Sequence, residues 1–495
     1  MRSTFHGLET ARRGMVTQQS ALQTTGHNIA NANTPGFSRQ RVNFVQTEPY
    51  PPASMNRPGI PGQMGTGVQA GSVQRVREGF LDVQYRGENN KFGYWNAKSE
   101  ALEKMEDIMN EPSENGLSKT LDRFWQSLQD LSVHPDDSGA RSVVRQRGIA
   151  VAETFNYLSN SLSSIKSDIE SQVDITVKEI NSLTTQINNI NKQISEIEPH
   201  GYLPNDLYDE RDSLVDRLSE LATIKVTTTA SGGLASPMAA GKYTVELIAK
   251  DGTTSLGKLV DGVALTSVDM SYTKDATGKI NQFSIGTPAV PLTSTDVGGK
   301  LAGLKDAFNT TYPKMIDDLD KLAHDFAVEF NRVHRTGHTL NNTQNVDFFA
   351  LKSAVITIPK DTTQTAGFAS QLKIHDDIKN DLKNIAAGNT TAAGDGNNAL
   401  ALTEVKNTTK LKSTYEGMIG GMAVEAQEAV RLTNNSDVLK SAVESRRQSV
   451  SGVSIDEEMT NMIQFQHAYN AAARNITVVD EMLDKIINSM GLVGR

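Results

Sequence analysis

The sequence predicts a multidomain, mainly α protein: a long helical bundle and coiled coil built from both chain ends, with β-rich domains inserted between. Three observations carry that reading. Apolar residues step at coiled-coil spacing near both termini. A helical run of unusual length fills the centre of the first half. Residues 225–295 change to apolar–polar alternation with hairpin turn pairs.

At the N-terminus, Leu8, Ala11, Met15, Leu22, Thr25 and Ile29 fall three, four or seven apart, a narrow seam. The helix is expected to stop near residues 28–33, where Pro35 and Gly36 write a turn, Gly36 needing positive φ. Residues 49–71 are rich in Pro and Gly and read as an extended linker, with short strands around Val68–Arg77. From about 79 to 221 the pattern is helical. Its strongest signal runs from Val151 through Phe155, Ile165, Ile169, Val173, Val177, Ile180, Ile187 and Ile194 to Ile197. Three consecutive steps of four between Ile165 and Val177 are a stutter that locally unwinds a supercoil. Pro199 and Gly201 end the run, and 206–222 returns as a shorter helix.

Tyr243, Val245 and Leu247 alternate with polar residues, and Asp251-Gly252 and Asp261-Gly262 mark turns. This segment shows no seam toward the helices, so it is expected to fold by itself. Helix returns at 297–334. A second excursion, 341–400, contains a strand signal at Val355–Ile358, and helix then resumes to the end. In the last segment Ile455, Met459, Met462, Gln466, Tyr469, Ala473, Ile476, Asp480, Leu483, Ile487 and Met490 step four and three in strict alternation, a seam with two polar positions. Residues 1–41 carry five Arg and one Glu; residues 455–495 carry six acids and three bases, so the two ends have opposite charge and can pair. The nested layout is 1–60 with 455–495 as an axial core, 61–230 with 296–340 and 401–454 as a helical rod, 231–295 as an outer β domain, and 341–400 as a small mixed insertion.

The 495-residue chain is ample for several cores, and its net charge of −9 argues against a nucleic-acid partner. Zero Cys excludes disulfides, thiolate metal sites and Cys nucleophiles. No run of about 18 apolar residues exists, so membrane insertion is not expected. No apolar segment follows Met1, so export by a cleaved signal peptide is not expected; the Arg-containing, acid-poor start is like a transit peptide, but its complementary partner at the other end explains it better. Gly65 to Ala70 matches a dinucleotide fingerprint without the required strand and helix. His334 and His338 have metal-ligand spacing, yet Gly337 lies between them and a third ligand is missing; a solvated helix end is the expectation. Asp209, Glu210 and Asp212 enclose Arg211 at the start of an amphipathic helix and read as a solvated face. No catalytic, metal or cofactor site is expected.

Three stretches carry a resemblance. They are Ala21 to Gln40, ending Asn33-Thr34-Pro35-Gly36-Phe37-Ser38-Arg39-Gln40; Asn205 to Ser219; and Arg446 to Met459 running into Phe465-Gln466-His467-Ala468-Tyr469. Together they resemble the axial proteins of the bacterial flagellum, the family of rod, hook and hook-associated proteins. Tyr208 and Glu210 depart from the usual Leu and Gln of the second stretch.

The resemblance implies a structural adaptor joining hook to filament, not an enzyme. It implies export through the flagellar type III apparatus to an extracellular position at that junction. The partners implied are further copies of the chain in a tube, hook protein below, a second junction protein above, and a cytoplasmic export chaperone on roughly Met459–Met490. The expected assembly residues are Leu8, Met15, Leu22, Ile29, Pro35 and Gly36 at one end and Met459, Met462, Tyr469, Ile476, Leu483 and Ile487 at the other. The alternative is a secreted type III effector or adhesin with a receptor-binding β domain.

Overall fold

In the computed structural model the chain is described except at residues 1–4, 53–54, 56–58, 60–61, 110–112, 114–115, 287–289, 293–296, 353–365 and 490–495. Helix α1 (Phe5–Ala30) leads into the turn at Pro35–Gly36. Phe37 N–H donates to the Thr34 carbonyl at 3.2 Å and Gly36 has φ +83°, the type II turn that Pro and Gly dictate. Strands β1 (Gln40–Gln46) and β2 (Val68–Arg75) form an antiparallel hairpin against α1. The fingerprint at Gly65–Ala70 runs into β2 rather than opening a helix.

Four helices follow: α2 (Gly79–Met109), α3 (Leu117–Val133), α4 (Ser138–Ile197) and α5 (Asn205–Leu221). Helix α4 has 60 residues, about 90 Å at 1.5 Å per residue. Asp137 caps it, its carboxylate accepting from the N–H groups of Gly139 and Ala140. Every fourth or third apolar residue from Val151 to Ile194 is buried except Ile165, which is half-buried. After a 3₁₀ turn, Gly201 (φ +84°) reverses the chain into α5.

The β segment begins at Ile224, one residue before the alternation expected over 225–295. Strands β3 (Ile224–Thr229), β4 (Lys242–Ile248), β5 (Ser255–Asp261) and β6 (Thr266–Ser267) form one antiparallel sheet in chain order. Strands β7 (Met270–Lys274), β8 (Ile280–Ile285) and β9 (Val290–Pro291) form a second. The expectation of a module without a seam to the rod fails. Val245, Leu259 and Phe283 are buried in one apolar core with Ile180, Ile187 and Ile194 of α4. Side-chain amides of α4 also grip the strands. Asn191 exchanges two hydrogen bonds with the Tyr243 backbone (2.8 and 3.0 Å), and Asn181 does the same with Met270 (2.9 and 2.7 Å). An amide matches a peptide unit donor for acceptor, so helix residues that look solvated in sequence serve here as strand anchors.

Helices α6 (Gly299–Asp306) and α7 (Tyr312–Thr336) are joined by a π-helical turn at Ala307–Thr311. Pro313 just beyond it lacks an N–H, and the wider turn accommodates the missing bond. The second excursion holds β10 (Phe349–Leu351), α8 (Phe368–Gln371), β11 (Leu372–Ile374) and α9 (Asp376–Asn380); β10 and β11 pair antiparallel. The strand expected at Val355–Ile358 lies outside the described residues. Phe348 and Phe349 pack at tilted or edge-to-face angles against Phe124, Phe326 and Phe330, fastening this excursion to α3 and α7.

His334 is buried rather than at a solvated helix end. One ring nitrogen sits 2.7 Å from the Val346 carbonyl and the other accepts the Ala386 N–H at 3.0 Å, so the ring is a neutral bridge, held to a pKa of about 4 by burial. Helices α10 (Asn397–Thr408), α11 (Leu411–Ser451) and α12 (Ile455–Asp484, continued by a π turn to Ser489) complete the chain. Helix α11 returns along α2, and α12 packs against α1.

Candidate assembly joint

Helices α1 and α12 and the β1–β2 hairpin pack together as one body. Leu8, Met15, Leu22 and Ile29 of α1 are half-buried, as are Met462, Tyr469, Ile476 and Leu483 of α12. Met459 and Ile487 are exposed, at 53% and 71%, and so are Pro35 and Gly36. The half-buried line on α12 runs Met462, Phe465, Tyr469, Ala472, Ile476, Val479, Leu483. Phe465 and Val479 therefore stand where the strict sequence count placed Gln466 and Asp480, which are exposed. Phe465 meets Phe44 of the hairpin edge to face at 5.9 Å. Among the described residues of α12, only Glu458 is buried.

The connection between this body and the rod is polar. Asn28, 1% exposed, accepts the Gln40 N–H at 2.9 Å and donates to the Gln40 carbonyl at 2.8 Å and to Glu458 at 3.1 Å. Arg39 spans Glu457 and Glu458 at 2.8 and 2.7 Å, and its N–H donates to the Ser451 carbonyl. These bonds tie the end of α1, the start of β1 and the start of α12 into one knot. Partners 430 residues apart in sequence meet there.

The rod receives the knot on one face of α5. Asp206, Asp209, Asp212 and Asp216 lie three or four apart and so share a stripe. Asp206 accepts from Gln40, and Asp209 accepts from the Ser38 N–H. Arg75, at the end of β2, reaches Asp209 (2.7 Å) and Asp212 (3.0 Å); Arg77 reaches Asp82 (2.8 Å) and Asp212 (3.3 Å). Arg86 of α2 bonds Asp212 and Asp216, and Arg447 of α11 bonds Asp216 and Glu444. Arg211 stacks on the Tyr243 ring at 3.4 Å.

The expectation of a solvated carboxylate face is therefore corrected. Asp209 and Asp212 are buried and Arg211 is fully so; Glu210 alone is exposed. The reason is the set of guanidiniums arriving from β2, α2 and α11, which supply the partners that water would otherwise provide. Burial pushes the Asp212 carboxyl up, but Arg77, Arg75, Arg86 and Arg211 outweigh it and hold it well below the usual carboxylate range. Burial opposes the charge on Arg77 too, and Asp212 and Asp82 more than restore it. Arg211, with fewer carboxylates beside it, is lowered by burial.

Pro35 and Gly36 cap one wall of a cleft of about 920 Å³ between the 32–39 turn, α2, α5 and the α11–α12 bend. Sequence reading found the turn and missed the knot. The available signals were Arg75 and Arg77, two apart at and just past the end of a strand, and a stripe of Asp along one side of an amphipathic helix.

Residues 102–349 match the family described as "Flagellar hook-associated protein FlgK helical domain". Residues 8–37 match "Flagella basal body rod protein", and 444–490 match "Flagellar basal body rod FlgEFG protein C-terminal". The chain is 45% identical to flagellar hook-associated protein 1 of Bacillus subtilis (strain 168), over all of both chains. It is 24% identical to flagellar hook-associated protein 1 of Escherichia coli (strain K12), over 97% of this chain and 99% of that one. Among solved structures it is similar to the flagellar hook junction protein FlgK from Burkholderia pseudomallei: TM-score 0.58, 15% identity, 76% of this chain and 100% of that one.

Proposed function

The chain belongs to the flagellar hook-associated protein 1 family, and on that premise we propose how its fold serves the junction between hook and filament. It is a structural subunit of the bacterial flagellum, exported and extracellular, and it assembles with hook proteins. With both chain ends matching rod-protein families, the effector or adhesin alternative is set aside.

The axial body is the self-assembly element. A single observation carries this: a helix of 30 residues, α12, has apolar residues along its length and buries only Glu458 among its described residues. Ile455, Met459, Ile463, Val478, Met482 and Ile487 are each about half exposed or more. A lone two-helix pair gains too little burial to offset its conformational entropy, so its order is completed by further copies in the tube. The domain division is 1–60 with 455–495 as axial core, then the rod, with both β excursions packed on it. The α5 socket fixes the direction in which the axial body leaves the rod. Hook protein below and a second junction protein above are the neighbours along the tube. An export chaperone covers roughly Met459–Met490 before assembly, because the apolar residues exposed from Met459 to Ile487 otherwise self-associate.

The test is the double substitution Met462→Asp with Ile476→Asp. Chaperone capture and incorporation into the junction are lost, while melting of the rod stays within about 1 °C of the parent. Normal incorporation of the double variant overturns the reading.

A further inference from the structure

The loop between β3 and β4, residues 230–241, contains no charged residue. It is nonetheless built rather than slack. Glu198, fully buried, accepts from the Tyr208 and Ser231 hydroxyls and from the Gly241 N–H, closing both ends of the loop on one carboxylate. Its middle is pinned where Leu234 N–H donates to the Pro199 carbonyl at 3.0 Å. Arg211 donates to the Gly241 carbonyl at 2.7 Å. A buried carboxylate with three donors is a large investment for a plain connector. What it holds out is apolar: Leu234 is 82% exposed and Met238 58%. Closed loops of this size with a fixed apolar tip mark contact surfaces.

The place of the loop says which surface it meets. It is anchored to α5 through Tyr208 and Arg211. The joint cleft is lined by Ser213, Asp216 and Glu220 of the same helix. At about 100° per residue, Arg211 and Glu220 point in opposite directions. Projection and cleft therefore lie on opposite flanks of the subunit, less than three turns apart along α5. That is the arrangement of a heterologous contact, in which one copy's projection enters the next copy's cleft and the series continues around an axis.

The chemistry of the cleft agrees. Its cations are already paired: Arg39 with Glu457, Arg77 with Asp82, Arg217 with Glu179, Lys440 with Asp437, and Arg447 with Asp216. An anionic occupant finds no free counter-ion among them. The lining also includes Pro35, Phe37, Tyr85, Val450 and Val453, uncharged side chains that suit a neutral tip. Met, unbranched and flexible, adapts to such a mixed wall.

We propose that Leu234 and Met238 of one copy dock in the joint cleft of the neighbouring copy, keying adjacent subunits at the level where the axial body meets the rod. This rests on the self-assembly reading above, and the test separates the two. The photo-crosslinker p-benzoylphenylalanine is placed at position 234, and at the exposed control Val263, in cells that build flagella. Crosslinked junctions are isolated and the linked peptides sequenced. The expected result is a homodimer with residues 32–39 or 448–454 as acceptor from position 234, and none from position 263. In parallel, Leu234→Asp with Met238→Asp leaves the purified monomer's melting unchanged but lowers the fraction of cells with attached filaments at least tenfold. Junctions that form normally, with position 234 linked to another protein or to nothing, overturn the docking and leave self-assembly standing. Incorporation of the Met462→Asp, Ile476→Asp variant at parental level overturns the reading beneath it.

Discussion

Asp212 is the residue on which the buried charge cluster turns, and Asp212→Asn is the perturbation that measures it. The change keeps side-chain shape and removes one charge. Asp212 sits within 3.3 Å of Arg75, Arg77 and Arg86 and accepts the Tyr243 hydroxyl at 2.9 Å. Removing one partner of a buried ion pair costs about 3–5 kcal/mol, because the other charge stays buried. Here Asp209, Asp82 and Asp216 remain for Arg75, Arg77 and Arg86, so the lower end, about 3 kcal/mol, applies. At about 2.1 cal/mol/K per residue, a rod of roughly 400 residues has an unfolding entropy near 0.8 kcal/mol/K. The expected loss is therefore about 4 °C in Tm by differential scanning calorimetry of the monomer at pH 7. Asp206→Asn is the control: its side chain is 69% exposed, and the shift stays under about 1 °C. Adding Arg86→Met to Asp212→Asn removes one of the buried cations that lost a partner, and the double variant is less destabilised than the sum by more than about 1 kcal/mol. Equal melting of Asp212→Asn and Asp206→Asn refutes the reasoning.

Three further outcomes are expected. Gly36→Val places a β-branched residue at φ +83°; strain of about 1–2 kcal/mol weakens the joint, and swimming motility falls. His334 binds its proton less readily when folded, with a pKa near 4 against an ordinary 6.5; rod stability is therefore full above about pH 6.5 and drops by about 3 kcal/mol as pH falls to 4, while His334→Gln gives a flatter profile in the same denaturant titrations. Hydrogen exchange on the verified monomer shows weak protection at 5–30 and 455–489 and strong protection at 138–221; strong protection at both termini contradicts assembly-coupled ordering.

The long helix was readable because the apolar residues at steps of three and four from Val151 to Ile194 face inward together. Spacing also fixed the turn at Pro35–Gly36, where two residue types admit one backbone path. The seam of α12 was found but displaced: a strict count from Ile455 runs on through Gln466 and Asp480, whereas packing against α1 and the hairpin selects Phe465 and Val479. What stayed hidden was polar and long-range. Asn191 and Asn181 look like solvent-facing positions until a strand backbone lies against them. Asp212 looks like any acid near a helix start until Arg75, Arg77 and Arg86 converge on it from two other elements. Periodicity reports which face is apolar. It carries no information about which distant partner satisfies a buried charge.

Cryo-electron microscopy of native hook–filament junctions, with this subunit labelled, tests the account most directly. The predicted result is a tube whose inner wall is the paired helices 5–30 and 455–489, with the rod and its β excursions outside and the α5 acid stripe at the bend between them. A tube lined by the β segments, or terminal helices that touch no other copy, contradicts it.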